Sequence, residues 1–513
     1  MERFLGQHEG RICGVLSGFD RVLFRGTLPS ISHLAGLEGF LAAYRVLYKD
    51  FGDFVQGLSG QIKAHAEALA SKERRPFRYL ASSSACKEEI ARQIQQEEGI
   101  KEGLVCVLSC VEPCQTYAVQ RERKSKTIHV VPAQRKCLHL YFYFVDREFG
   151  LIHVRLQTWL PFTIQVCLNG REYLAREMDR AGMKYEKRDN CFASIEDLPR
   201  AQKMLDRLTE RRWERFLNVY ARRVNPLLDA RFGFDKYGYY WTMRQSEYAT
   251  DVMFRDAASL REIYPHLVNH AIQGLTCEDV LRFLGRRTDR RFCGEVTSDV
   301  LKRIEGIRVK HRVEENSIKM YDKEGSVLRI ETTINDPRRF KVRRRVTRKG
   351  QAVMRWVPMR KGLADIARRV EICRAANERY LQALAVVRQP QPIAQTLDPV
   401  NRPIVRDGRP YRALQPLNRE EAGVFRVLLR GEFLLQGFRN KDVRRALEPI
   451  ADKDPDCRRQ ASGRITRLLR LLRAHGLIRK VPTTRYYRVT HKGQQVMTTA
   501  LKLRATDLAA LAA

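Results

Sequence analysis

The spacing of apolar residues changes period along the chain, and the change divides it. Residues 31–69 carry Leu34, Leu37, Phe40, Leu41, Tyr44 and Leu47 at helical intervals, and 84–97 predict a second, charged helix ending before Gly99. From about 103 to 168 the pattern becomes that of strands: LVCVLS, TIHVV, CLHLYFYFV, GLIHVRLQTWL and FTIQVCL, with turn residues at 146–150 and at Pro161. Asn169 and Gly170 close the last strand, and REYLAREMDRAG follows as a helix. Helices are expected again at 194–220, 257–272 and 277–285, with the aromatic stretch FDKYGYYW at 234–241 between the first two. A second strand group covers about 305–358. A helix at 361–387 has Leu363, Ile366, Val370, Cys373, Tyr380 and Leu384 in phase.

This order predicts a multidomain α+β protein with an antiparallel-sheet body. The expected parts are a helical N-terminal region (1–100), an α+β body (101–388) with strand groups at about 103–168 and 305–358, a linker (389–417) and a C-terminal domain (418–513). The linker is read from six prolines between Pro390 and Pro416, a density that disfavours helix and sheet.

The last segment has the most regular plan. Asn418 can cap a helix with Glu421 three residues on, Val424, Phe425, Leu428 and Leu429 form its apolar face, and Gly431 stops it. KDVRRAL follows Asn440 as a short helix. In the third helix, RRQASGRITRLLRLLRAHG, Ile465, Leu468, Leu469 and Leu472 face inward and Arg464 and Arg467 face away. Two short strands, LIRKV and RYYRV, are joined through Pro482, Thr483 and Thr484, and a closing helix begins after Gly493. This plan resembles the winged-helix domains of MarR-type regulators over about 95 of the 513 residues. The resemblance implies a third helix in the DNA major groove, with Gln460, Ser462, Arg464 and Arg467 toward base edges and phosphates and Arg485 on the wing. MarR-type proteins are short dimers, so the likeness extends to the tail alone.

Charge sharpens the picture. The chain carries 95 Lys+Arg against 59 Asp+Glu, a formal +36, and 401–513 alone has 25 against 10. Such an excess makes a polyanion the expected partner, DNA more than RNA, because each cation placed on a phosphate releases counterions. No run free of charged residues exceeds fifteen residues, too short to span a bilayer, and no apolar secretory core follows the N-terminus. A membrane partner is therefore not expected, and the cytoplasm is. The twelve cysteines include no C-x-x-C and read as reduced thiols; Cys106, Cys110, Cys114, Cys137 and His139 lack zinc-finger spacing.

Candidate chemistry lies in 316–334, NSIKMYDKEGSVLRIETTI. Alternation puts Lys319, Tyr321 and Lys323 on one strand face and Arg329 and Glu331 on the matching face of the next. A three-residue loop at 324–326 sets Lys319 opposite Glu331 and Tyr321 opposite Arg329. The run K-x-Y-D-K followed by L-R-x-E resembles a strand pair in rolling-circle replication initiators. That resemblance implies a tyrosine nucleophile, Mg²⁺ or Mn²⁺ held by Glu331 and Asp322, and phosphate held by Lys319, Lys323 and Arg329. The initiators' His-hydrophobic-His motif is absent, and Tyr237, Tyr239, Tyr240 and Tyr321 all stay open as nucleophile. The alternative is an ordinary cross-strand ion pair, Lys319 with Glu331, beside a solvated tyrosine. Asp20, Arg21 and Arg25 suggest a charged strand edge. No Walker loop, G-x-S-x-G or H-E-x-x-H occurs, so ATP use and serine or zinc hydrolysis lack support.

Residues 338–361 hold eleven Lys or Arg and no acid. Phe340, Val342, Val346, Val353 and Trp356 interleave with the charges, which predicts an ordered hairpin turning near Gly350 beside the 316–334 strands. Arg343, Arg344 and Arg345 are the expected phosphate contacts, with Trp356 stacking on an unpaired base. The expectation is a nucleic-acid-binding protein, suited to a mobile element. The alternatives are a metal-dependent strand-nicking initiator or transposase-like enzyme, and a MarR-like transcription regulator.

Overall fold

The computed structural model describes residues 1–122, 127–286, 295–303, 306–348, 351–387, 393–449, 454–482 and 484–506. Two compact units result, one of Glu9–Arg261 with Thr297–Glu378 and one of Met1–His8, Glu262–Val296 and Arg379–Ala513. The expected α+β class is observed; the expected segment boundaries are not.

The larger unit is built on β1 (Ile12–Thr27), β2 (Phe77–Tyr79), β3 (Gly103–Glu122), β4 (Thr127–Asp146), β5 (Gly150–Gln157), β6 (Ile164–Asn169), β9 (Tyr240–Phe254), β10 (Val296–Arg303), β11 (Gly306–Val313), β12 (Asn316–Lys323) and β13 (Val327–Ile334). They form one sheet in the order β10-β11-β12-β13-β9-β1-β6-β5-β4-β3-β2. From β11 to β3 the ladders are antiparallel, and β2 runs parallel to β3. Two further hairpins stand outside this sheet: β7 (Tyr185–Arg188) with β8 (Cys191–Ile195), and β14 (Lys341–Arg348) with β15 (Gln351–Pro358).

The long apolar runs belong to strands covered on both sides. In β4, Leu140, Phe142 and Phe144 enter the main core, while Tyr141, Tyr143 and Val145 pack with Ala91 and Ile94 of the helix Lys87–Glu97. Each face meets its own apolar layer, so the sequence has no reason to alternate.

Two strands depart from expectation. The N-terminal hundred residues hold the helices Leu34–Ala43, Phe51–Lys72 and Lys87–Glu97 in the stretches read as helical, but also a long strand: β1 runs through the sheet interior between β6 and β9, and its Leu16, Phe19, Val22 and Phe24 are core residues. GFDRVLFRG is therefore an interior strand and not an edge. β9, whose second half from Tyr248 to Phe254 is buried on both faces and so does not alternate, is the strand on which β1 and β13 both pair. One face of this central region is closed by the helix Ile366–Leu384, whose Asn377 amide bonds Tyr248 and Thr250 of β9 and whose carbonyl oxygen accepts from Thr332. The β7–β8 hairpin lies against the other face.

In the smaller unit, the helices Arg419–Leu428, Gly431–Gln436, Asn440–Leu447 and Pro455–Ala474 are followed by β18 (Ile478–Lys480), β19 (Tyr487–Val489) and the helix His491–Ala505. Asn418 caps the first of these, accepting from the Glu420 amide at 3.1 Å. Gly493 is required by close approach: a Cβ there would lie 1.9 Å from the Leu477 carbonyl oxygen. The expected linker is a folded part of this unit. Its residues 389–392 lie outside the described residues, but the helix Ile393–Leu397 and the hairpin of β16 (Ile404–Arg406) and β17 (Arg409–Tyr411) are formed, and Leu397, Val400 and Leu414 are buried in the same core as Phe425 and Leu472. Proline tolerates turns and two-stranded edges, so apolar residues between prolines can still anchor the chain.

Candidate nucleic-acid interface

The 316–334 hairpin has the expected register, with Lys319 opposite Glu331 and Tyr321 opposite Arg329 around a 324–326 loop. On its polar face Lys323, Arg329 and Glu331 are buried and Lys319 and Tyr321 half-buried. Arg329, 1% exposed, donates to both oxygens of Asp251 (2.6 and 2.9 Å), to Asp20 (3.2 Å) and to the Asn190 carbonyl (2.6 Å). Arg171, at the start of the helix Gly170–Arg180, reaches the same Asp251 at 2.8 Å. Lys319 donates to Glu331 at 2.6 Å and lies 3.6 Å from Glu247, and the Tyr321 hydroxyl donates to the other Glu331 oxygen at 2.7 Å.

Backbone geometry assembles this network. Phe19 pairs with Tyr248 but Arg21 with Glu247, so Asp20 is the extra residue of a β-bulge, which turns its carboxylate toward Arg329. The β7–β8 turn covers the cluster: Asn190 donates to Asp20 and accepts from Asn169, and Asp189 takes the Lys323 ammonium. Burial raises the pKa of Asp20 and of Glu247, each further raised by nearby Glu331. Burial works the same way on Glu331 and Asp251, but Lys319 holds the first below the usual carboxylate range and Arg171 with Arg329 the second.

The residues expected to carry chemistry are therefore committed to one another. Burial and the Glu331 charge push Tyr321 well above the usual phenol range, and its hydroxyl donates to that carboxylate. Lys319, Lys323 and Arg329 neutralise Glu331, Asp189 and Asp251 rather than a phosphate. The cross-strand ion pair is present, beside a half-buried tyrosine that bonds the same carboxylate. Asp322 pairs with Leu328 on the opposite face, away from Glu331, where burial raises it to about 6. Among the other tyrosines, Tyr239 is buried and donates to the Phe162 carbonyl, Tyr240 is 57% exposed, and the Tyr237 side chain lies outside the described residues.

A trio the sequence reading did not assemble does fit a hard cation: oxygens of Asp20, Glu247 and Glu331 lie within 4.8 Å of one another. A metal there would have to displace Lys319 and Asn190. Glu247 also lines a cleft of about 270 Å³ with Lys310, Arg312, Lys319 and Glu314. An acid set between YAT and VMF was the available signal for Asp251, since a buried strand rarely carries unpaired charge; Glu247 follows Arg244, Gln245 and Ser246 and had no such signal.

The basic run is a free-standing ribbon. β14 and β15 pair from Lys341–Pro358 to Arg348–Gln351 as a separate two-stranded sheet, and among the described residues no ladder joins them to β13. Gly350 lies outside the described residues. Lys341, Arg343 and Arg345 share one face with Trp356 and Met354; Arg344 and Arg355 share the other with Val342, Val346 and Val353. Arg343, Arg345 and Arg355 are exposed, and Trp356 is 58% exposed with the Arg368 guanidinium 5.5 Å from its ring centre. Arg344 differs from its neighbours. It is half-buried and pairs with both oxygens of Asp365 at 2.7 Å, so it anchors the ribbon instead of reaching a phosphate.

In the smaller unit Gln460, Arg464 and Arg467 are exposed on the helix Pro455–Ala474, and Arg485 is exposed between β18 and β19. Arg464 pairs with Glu448 at 2.8 Å in solvent. Ser462 is turned inward: its hydroxyl donates to the Asn440 side chain, which returns a bond to the Ser462 carbonyl, so it joins two helices and does not face outward. Thr483, in the β18–β19 connection, lies outside the described residues.

Among the described residues no helix is long and apolar enough to cross a membrane, and the cysteines are free thiols. Comparison with protein-family models, with curated proteins and with solved structures finds no match to this chain.

Proposed function

We propose that this protein binds nucleic acid, DNA in preference to RNA, through the β14–β15 ribbon and the exposed face of the helix Pro455–Ala474. The observation that carries the reading is the ribbon, whose Arg343, Arg345 and Arg355 are exposed while Lys319, Lys323 and Arg329 of the preceding hairpin are each paired with an acid. A two-stranded ribbon is narrow enough to enter a major groove, and exposed arginines along it suit a phosphate backbone. In the smaller unit, the helix order and hairpin suit a winged-helix reader in which Gln460, Arg464 and Arg467 approach base edges and Arg485 touches the backbone.

The test is the salt dependence of binding. Changing Arg343, Arg345 and Arg355 together to Gln is expected to lower affinity for every sequence and flatten the slope of log K against log salt by up to about 0.9 per lost contact on duplex DNA. An unchanged slope with a folded protein removes the ribbon from the interface.

A second reading, metal-dependent strand nicking, is favoured by the Asp20–Glu247–Glu331 trio alone. It predicts open circles from supercoiled plasmid in Mg²⁺ or Mn²⁺, lost in Glu331→Gln. Absence of nicking across both metals and both DNA forms, single-stranded included, removes it.

A further inference from the structure

The smaller unit contains a groove of about 740 Å³ between the helices Gly431–Gln436 and Asn440–Leu447 and the β18–β19 hairpin. That volume is within the range of small-ligand sites. Its floor is made by a close backbone approach. At Gly437, φ is +73° and a Cβ would lie 2.6 Å from the Tyr487 carbonyl oxygen, so only glycine lets the chain come so near. Phe438 and Tyr487 then exchange two backbone hydrogen bonds, 3.0 and 2.8 Å, and their rings stack at 6.1 Å. The segment between the two helices thereby becomes a third edge of the hairpin.

The rim is cationic and aromatic. Arg430, Arg439, Arg445 and Arg488 line it, against Glu432 and Asp442. Asp442 accepts from the Arg439 backbone amide at 2.9 Å, as part of the helix start, and lies 3.4 Å from the same residue's guanidinium, so Arg430, Arg445 and Arg488 carry the rest of the rim charge. The Arg439 guanidinium lies 4.9 Å from the Tyr486 ring centre, yet the ring keeps 37% of its surface exposed. None of these residues lies on the outward face of Pro455–Ala474.

We propose that this groove binds an unpaired nucleotide of a nucleic-acid strand, its phosphates on the arginine rim and its base against Tyr486. The proposal rests on the nucleic-acid reading above and narrows it: the smaller unit prefers a duplex that ends in, or opens into, a single strand. Phosphates of an intact duplex need only exposed cations, whereas an aromatic ring within a concave, cationic groove is useful to a base that has left its stack.

The experiment compares two probes by fluorescence anisotropy with the full chain: a short blunt DNA duplex, and the same duplex with a single-stranded tail of a few nucleotides. The tailed probe is expected to bind about tenfold tighter. Tyr486→Leu and, separately, Arg488→Gln are expected to remove most of that advantage and leave the blunt duplex unchanged; Arg445→Gln is a further rim variant, and thermal melting verifies that each is folded. Equal binding of both probes by the unaltered chain overturns the proposal, as does an equal loss on both probes, which would make the rim an ordinary duplex-phosphate contact. Folded variants that keep the full preference for the tail also overturn it. Binding to neither probe would instead overturn the nucleic-acid reading itself, and that outcome is distinguished by the ribbon variant, which would then change nothing.

Discussion

Two consecutive hairpins of the larger unit, 316–334 and 341–358, are both rich in cations and have opposite fates. In the first, Lys319, Lys323 and Arg329 each meet a carboxylate, and Arg329 is almost wholly buried. In the second, Arg343, Arg345 and Arg355 stand in solvent, and among the described residues of the ribbon only Arg344 pairs with an acid, Asp365. Taking a guanidinium out of water is tolerated only where charges and hydrogen bonds replace its hydration, so the buried hairpin is held by its counterions. The exposed one has no such requirement, and its charge stays available to a polyanion. A count of basic residues does not distinguish structural from functional cations; the presence of an internal acid does.

The largest effect that would break this contrast is at Arg329. Arg329→Ala leaves Asp251 and Asp20 buried without their shared partner and is expected to lose about 3–5 kcal/mol of stability in chemical denaturation. Arg345→Ala on the ribbon should stay within about 0.5 kcal/mol. Similar losses at both positions would show that the ribbon is as structural as its neighbour.

A second measurement extends the exposed class to the smaller unit. Arg464→Ala and Arg467→Ala are each expected to weaken binding to a preferred DNA sequence by about 1–3 kcal/mol with little change in melting temperature. Equal losses on random DNA would assign them to phosphate contact and not to base reading.

A smaller effect concerns pH. Burial lowers His311, on the strand next to β12, to about 4, and it lowers His139 on β4 to about 4 with the charge of Arg155 adding to it. Below the ordinary value near 6.5 the unfolded chain binds protons that the folded chain refuses, so stability is complete above that pH and declines as pH falls toward 4. At pH 5 each histidine is expected to contribute a loss on the order of 1–2 kcal/mol, reduced in His311→Gln if the substitution is accommodated. Melting curves that do not move between pH 7 and pH 5 would place both imidazoles in contact with water.

Local pattern alone determined a good deal. Alternation and a three-residue loop set the register of 316–334, the interleaved charges of 338–361 specified a hairpin, and Asn418 marked a helix start that its side chain does cap. These features depend on neighbours a few residues away, where side-chain direction follows from the backbone period. The strand pairing puts Asp322 on the face away from Glu331, which corrects the metal pair that the initiator resemblance implied. What no local pattern determined is which distant groups meet. Asp20, Glu247 and Asp251 join Arg329 and Glu331 because the sheet order β12-β13-β9-β1 brings four strands side by side and a bulge redirects one carboxylate. The same holds for the proline-rich 393–417, whose few apolar residues become core only once the helices they pack on are in place. Arg329 and Asp20 are 309 residues apart in the chain. Whether a cation is buried beside an acid or left to a ligand is settled by desolvation against that partner, and the partner's position exists only in the folded sheet.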